Sequence, residues 1–539
     1  MTHRSVAKKK IVAAVAGVSA LSMLLAGCGG SGSEAQMENG KPVVTIMVQQ
    51  NTAQIDVAKQ KWAQDLEKES GAVIKWQRVD DNAWTQQKNA SLTGGDVADL
   101  SIRAYHPEDA AQYPLFENLA DDMDSLPNVA KFFKEKPLAK KMVEIDGQIN
   151  VLPSSRGKSF QASGQHMLIN KVWLDKLGLE VPKTWDELTK VLEAFKTQDP
   201  NGNGKQDEIP MNVRALGTGS LGNWWSMFLL INGAGVVTSF NAGPSGQGIA
   251  VKDGKVYSWA TSDQFKQVVE YYHELFQKGL IPKDALTKDD SKYQAELKSD
   301  GETALTGVAF GWDGTQFGVI GSKLNKEYIT IPVPAAPGVS QDETVWDASG
   351  DYNEYEDYHM AMKKDLPEET KKAALKIINL LYSEKYSVEQ LYGSIPDYTT
   401  DDGNHTYTIK KQFFNEADNG KAPALQDRLA GWIPDNVKFN GAQDADAIQA
   451  ADAPYKEQYS HLDQTKDKMP VYVRQNTEDT NTFSNNNAQI WNYGIPVVSK
   501  WILNGGVDQQ WDEYVKQVNN LGMKQNVELW QKAYDAAVK

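Results

Sequence analysis

Ile169-Asn-Lys-Val-Trp-Leu-Asp-Lys-Leu-Gly-Leu-Glu-Val-Pro-Lys-Thr-Trp-Asp-Glu-Leu188 is the stretch whose reading decides the fold class. It opens at the end of an extended stretch, residues 151–170, and passes into a helix near residues 171–177. A longer helix follows, because Thr184 can cap it and Glu187, three residues on, completes a capping box. Outward from this core the same alternation recurs. Residues 42–48 form a short apolar run suited to a buried strand, and 55–70 place Val57, Trp62 and Leu66 near helical spacing. Residues 72–79 and 99–102 read as the second and third strands, and 306–311 and 328–332 as later ones. Helices are expected over 367–383 and, broken at Gly522, over 511–539. Strands alternating with helices imply βαβ units. No repeat is visible, so two α/β lobes are the economical reading.

The chain begins with Arg4, Lys8, Lys9 and Lys10, then a short apolar run ending in Leu25-Ala26-Gly27-Cys28. A basic start, a short apolar centre and small residues at the cut describe a secretory signal. The run is short for a spanning helix, which needs about 20 residues. Cys28, the only cysteine, stands where a bacterial lipobox places its diacylated residue. With that thiol acylated, disulfides and thiolate chemistry are both excluded downstream. Residues 29–40, rich in Gly, Ser and Glu, read as a flexible tether. Losing the four basic signal residues takes the formal charge from -15 to -19. So acidic a body argues against nucleic acid or anionic lipid as partner.

Asp199-Pro-Asn-Gly-Asn-Gly-Lys-Gln-Asp-Glu208 is the strongest local chemical motif. Hard oxygen donors recur at Asp199, Asn201 and Asn203, and Gly204 permits a sharp turn. Lys205 offers a backbone carbonyl, while Asp207 and Glu208 can close the shell. That alternation matches the first half of an EF-hand loop, whose oxygens suit calcium at about 2.3–2.6 Å. Pro210 stands where an EF-hand puts its bidentate glutamate, so Glu208 must close a shorter loop. A structural Ca2+ is expected there.

The opening stretch, with the loop that follows it, resembles the family 1 extracellular solute-binding proteins, the substrate receptors of bacterial ABC importers. Asp146-Gly147, Leu152-Pro153, Leu366-Pro367-Glu368, Tyr392-Gly393, Gly505-Gly506 and Trp511-Asp-Glu-Tyr-Val515 carry further resemblance. The nearest branch is the large calcium-containing one that includes alginate-oligosaccharide binders. Residues 400–485 are less familiar. The resemblance implies a two-lobed, type II periplasmic-binding-protein-like α/β fold, closing on an oligosaccharide between lobes joined by hinge crossovers. It implies a structural calcium held away from the ligand by Asp199, Asn201, Asn203, Lys205, Asp207 and Glu208. Crossovers are expected near 153–163, 304–310 and 351–359. Residues 1–27 are then the signal and 28–41 the lipidated tether. The first lobe holds 42–153 plus 310–351, and the second 154–309 plus 352–539. Implied partners are an oligosaccharide and membrane permease subunits, with the body a monomer on the outer face of the cell membrane. A source needing a lipid tether is expected to be Gram-positive.

A sugar has apolar faces and a rim of hydroxyls, so its receptor needs aromatic rings beside planar polar groups. Fifteen tryptophans supply rings, but Trp62, Trp173, Trp185, Trp511 and Trp530 sit in helical patterns and read as packing. Ligand residues are expected in loops after strands. The candidates are Gln50, Asn51, Arg103, His106, Arg156, Trp312, Asp313, Trp346, Tyr352 and Tyr355. Gly217-Thr-Gly-Ser-Leu-Gly222 matches G-x-G-x-x-G but lacks the acidic residue about 20 positions on. It reads instead as a turn delivering Trp224 or Trp225, of which one packs inward. The alternative from another class is a surface-anchored glycoside hydrolase or lyase, which needs a carboxylate pair. His273-Glu274 lacks the second histidine of a zinc motif, and no G-x-S-x-G elbow occurs. An adhesive surface lipoprotein would show repeats, and none appear.

Overall fold

The computed structural model describes residues 34–411 and 420–538. Cys28 and the signal lie outside the described residues. In chain order the strands are β1 (Met37–Glu38), β2 (Lys41–Gln49), β3 (Val73–Val79), β4 (Leu100–Ile102) and β5 (Val151–Ser155). Next come β6 (His166–Asn170), β7 (Ile209–Met211), β8 (Ile249–Lys252), β9 (Lys255–Ser258) and β10 (Thr306–Gly311). The last are β11 (Tyr328–Ile331), β12 (Tyr355–Met362), β13 (Thr399–Gly403), β14 (Thr406–Ile409) and β15 (Lys438–Asn440).

The first sheet has the order β1-β2-β4-β12-β5, with β3 parallel to β2. β2 is apolar along its length because both faces are covered. Val44, Ile46 and Val48 enter one core, while Met47 enters a smaller cluster on the other face. The second sheet has the order β11-β6-β10-β7, and its core is separate and larger. A third, small core lies under the β13-β14-β15 sheet and takes in Phe160 and Tyr392.

The helix expected over 55–70 starts late. Gln60 is extended (φ -77, ψ 136), so a short turn, Val57–Lys59, precedes a helix over Lys61–Ser70. The Thr184 cap is present, its side chain accepting from the Glu187 N–H at 3.2 Å. The reciprocal arm reaches one residue further back, the Glu187 carboxylate accepting from Lys183 N–H at 2.7 Å. Glu368–Leu381, Val507–Asn520 and Met523–Val538 are helical as expected. A helix over Asp81–Gly94, unheralded by its weak apolar pattern, follows β3.

The expected lobe boundaries need correction. β10 pairs with β6 and β7, and β11 pairs with β6, so these strands of 310–351 belong to the second sheet. No crossing occurs at 304–310, since β7 and β10 are neighbours. β12, assigned above to the second lobe, pairs with β4 and β5 in the first. Ala373 to Tyr386 and Leu425 to Trp432 also fill the first core. Register decides this: apolar runs show that strands exist, whereas partners depend on sequence-distant edges. Among the described residues the chain therefore passes between the two sheets three times: from β5 to β6, from β11 to β12, and after β15, beyond which Tyr455 and the C-terminal helices join the second core.

Candidate functional site

β4 ends at Ile102, and Arg103 takes a left-handed backbone (φ 56) that turns the chain out of the sheet. His106 follows and caps the helix Pro107–Gln112. Opposite them, the pairing of β12 with β5 shifts register between Glu356 and Met360. Such a bulge re-aims side chains, and Glu356, Asp357 and Tyr358 line the cavity beside Arg103 and His106. Trp312 follows the end of β10, and Trp224 comes from the glycine-rich loop. Tyr352, Asn353 and Tyr355 arrive from the second crossing, and Asn241 and Asp427 complete the polar lining. The cavity measures about 470 Å³, within the range of small-molecule sites.

Trp224 and Trp312 stand 5.6 Å apart, centroid to centroid, with their planes at 54°. Tyr358 is already engaged: His106 stacks on its ring at 4.3 Å and the Arg103 guanidinium lies 5.4 Å from its centroid. The two tryptophans, with the exposed Tyr352 ring, are thus the aromatic faces available to a ligand. Gly164 sets one of them. It is left-handed (φ 68), and a Cβ there would come within 2.6 Å of the Trp312 ring and 2.7 Å of Asn353 Nδ2. Gly164→Ala is expected to cost about 1–2 kcal/mol and to displace Trp312. A thermal melt reads the first effect and ligand titration the second; unchanged affinity would separate Trp312 from binding.

Of the sequence-expected residues, Arg103, His106, Arg156, Trp224, Trp312, Tyr352 and Tyr355 line this cavity. The others do not. Gln50 is buried and fastens its own loop, Nε2 donating to Ile55 O at 2.7 Å and Oε1 accepting from Val57 N–H at 3.2 Å. Asn51 accepts from Ala53 N–H at 2.9 Å. Trp225 packs inward, donating Nε1–H to Gly164 O at 3.1 Å. Asp313 accepts from Thr315 N–H at 2.7 Å and caps a turn. Trp346 is fully buried, stacked on Tyr455 at 4.3 Å. Asn241 and Asp427 went unrecognised; Asn241 Nδ2 is buried and unpartnered. Neither directly follows a strand expected from the sequence, the position in which ligand residues are sought.

Charge pairing stiffens the first wall. Glu356 accepts from Arg103 Nε at 3.3 Å and faces His359 Nε2 at 2.7 Å. Burial alone would raise the Glu356 pKa, but His359 and Arg103 outweigh it and hold the carboxyl well below its ordinary range. His106 Nδ1 lies 3.0 Å from Asp357, which also accepts from Arg474 at 2.8 Å. Burial would lower the imidazole pKa; the Asp357 hydrogen bond prevails and raises it.

The oxygen-rich loop lies elsewhere. Asp199 Oδ1 accepts from Gly202 and Asn203 N–H at 3.0 and 3.1 Å, and Oδ2 from Gly204 N–H at 3.0 Å. Gly202 and Gly204 are left-handed (φ 74 and 76), and the Lys205 N–H donates to Asn203 Oδ1 at 2.8 Å. Asn201 and Asn203 turn Nδ2 toward Asp207 Oδ1 at 3.1 and 3.0 Å. Both Glu208 carboxylate oxygens are buried without a hydrogen-bond partner. Burial first, then Asp199 and Asp207, raise its pKa. A buried carboxylate without donors, beside further oxygen donors, fits a hard divalent cation. The loop's three carboxylates are not gathered within 4.8 Å; among the described residues only His106, Glu108 and Asp357 are, and Arg474 already pairs with Glu108 and Asp357.

Among the described residues no helix is long and apolar enough to cross a membrane. A solved "HMO binding ABC-transporter associated" solute-binding protein from Bifidobacterium longum infantis is 49% identical, aligned over 93% of this chain and 100% of that one, with a TM-score of 0.88. The fructooligosaccharide ABC transporter substrate-binding protein FusA of Streptococcus pneumoniae is 29% identical over 506 residues, 88% of this chain and 86% of its own. FusA in complex with kestose superposes with a TM-score of 0.74 at 26% identity, over 92% of this chain and 99% of that one. An EF-hand mutant of FusA in complex with fructo-nystose matches over the same shares, at 25% identity and a TM-score of 0.71. Residues 50–388 match the family described as bacterial extracellular solute-binding protein. Two lobes, a cleft where their sheets meet and these matches make the chain a member of the bacterial extracellular solute-binding protein family.

Proposed function

We propose that this protein is the substrate-binding lipoprotein of an ABC importer, capturing an oligosaccharide in the cleft and delivering it to a membrane permease. The observation that carries the reading is the pairing of Trp224 and Trp312 with Arg103, Arg156, Asn241 and Asp427 around one cavity. Apolar sugar faces meet the indoles, and hydroxyls meet the planar polar groups. Capture by closure of the two lobes needs no chemistry on the ligand. The direct test is titration with kestose and other oligosaccharides, followed by intrinsic tryptophan fluorescence and product analysis. Stoichiometric binding without product supports the reading, whereas turnover by pure protein favours the hydrolase or lyase alternative.

Cys28 is proposed as the lipid anchor, holding the body at the outer face of the cell membrane in a Gram-positive source. Cys28→Ala is expected to move the protein from the membrane fraction to the medium. Retention of the variant in membranes would refute the anchor.

Ca2+ is proposed at Asp199, Asn201, Asn203, Lys205, Asp207 and Glu208, in a structural role. The orphaned Glu208 carboxylate supports it. A cation bound only by the folded state stabilises it by about 2.7 kcal/mol at a hundredfold excess over Kd. EDTA is therefore expected to lower the Tm by several degrees, restored by calcium, with an unaltered set of ligand contacts. An EDTA-indifferent melt would count against the site.

A further inference from the structure

We propose that the cleft selects uncharged glycans over those bearing a carboxylate, and that Asp427 enforces this choice. The inference rests on the oligosaccharide reading given above. Every cation lining the cavity is already set against a carboxylate or committed to the backbone. Arg103 Nε is 3.3 Å from Glu356, and its guanidinium is 3.8 Å from Asp427. His106 is held by Asp357 at 3.0 Å. Arg156 donates Nε–H to Asn353 O at 3.0 Å and lies over Phe160 at 4.6 Å, and its charge acts on Glu356 and Asp444. A sugar carboxylate would have to displace one of these internal acids to obtain a guanidinium fork.

The acids are not alike. Glu356 and Asp357 are consumed by His359, Arg103, His106 and Arg474. Among the described residues, Asp427 is held only by long ion contacts, 3.8 Å to Arg103 and 4.0 Å to Arg428, beyond hydrogen-bond length. Arg428 is committed elsewhere, bidentate to Asp81 at 3.0 and 2.9 Å. The Asp427 side chain is 40% exposed and lines both the main cavity and an adjoining one of about 190 Å³, which share Arg156 as well. Its oxygens are therefore acceptors open at the junction of two spaces. A sugar hydroxyl donates to them in a short, charge-assisted bond; a uronate meets like charge in a partly desolvated site. The unpartnered Asn241 Nδ2 adds a neutral donor suited to a hydroxyl oxygen. The acidic body, -15 over the whole chain, adds a long-range field of the same sign.

The test titrates the full chain with kestose and other neutral tri- and tetrasaccharides, beside galacturonan and alginate trisaccharides. The tightest neutral sugar is then oxidised at a primary hydroxyl to its uronate and compared with its parent. The uronate is expected to bind at least about tenfold more weakly. Asp427→Asn, with an unchanged melt as the folding control, should narrow that gap by weakening the parent and strengthening the uronate. An acidic trisaccharide or uronate binding as tightly as the neutral parent overturns the inference and leaves oligosaccharide capture standing. A gap unchanged in Asp427→Asn overturns it as well. Failure of every saccharide, neutral and acidic, to bind overturns the underlying reading too.

Discussion

Lys136→Met is expected to lower the unfolding free energy by about 3–5 kcal/mol. Lys136 sits at the joint between the helices Pro127–Glu135 and Pro137–Val143, its side chain 7% exposed. Its ammonium donates to Glu354 Oε1 at 2.6 Å and also to Asp435. Ser155 Oγ adds a hydrogen bond to the same Glu354 oxygen at 3.2 Å. One cation thus joins a helical corner of the first lobe to the end of β5, the start of β12 and the 430s segment. Methionine keeps the stem's packing but strands a carboxylate that is 2% exposed. Burial would lower the Lys136 pKa, yet Asp435 and Glu354 raise it. That pairing is fully present below the unfolded value of about 10.5 and is lost as pH climbs through the raised one. Urea denaturation measures the loss. Lys136→Met with Glu354→Gln should recover much of it, because no buried charge is then orphaned. A single variant within about 1 kcal/mol of the parent would mean the pair is not desolvated.

Trp224→Ala and Trp312→Ala are each expected to weaken the cleft ligand by about 2 kcal/mol, roughly thirtyfold in Kd. The two rings stand together in the cavity lining, and a sugar can meet them without displacing His106 or Arg103. Trp225→Phe should behave differently, since that ring is packed on the second core and its loss falls on stability. Calorimetric titration distinguishes them. Wild-type affinity in both Trp224→Ala and Trp312→Ala would place the ligand elsewhere.

Much of the fold was legible because its signals are local. β2 and β3, the Thr184 cap and the Gly522 break each depend on neighbouring residues alone. The pairings of β10, β11 and β12 were not, because a strand's partner is set by edges more than 100 residues away. The site divides the same way. Arg103 and Trp312 follow strands directly and could be picked out by position. Glu356, Asp357 and Tyr358 fall within the crossover expected near 351–359, but nothing in their residue types announces the bulge that turns them inward. Asp427 belongs to a segment without periodicity that reaches the cleft only after the chain returns to the first core. Gln50 and Trp346 misled because a loop position and a ring suit a binding site and a buried anchor equally well.

Three passages between the sheets is an odd number, so the described residues begin on one lobe and finish on the other. Met37 belongs to the first sheet, 52% exposed, and Val538 ends the last helix of the second lobe, 36% exposed. A fluorophore pair at those two termini reports inter-lobe distance directly. With Cys28 removed the chain carries no thiol, so cysteines introduced at Met37 and Val538 are the sole attachment points. Energy transfer between them would count closing events in single molecules, with no label near the cleft.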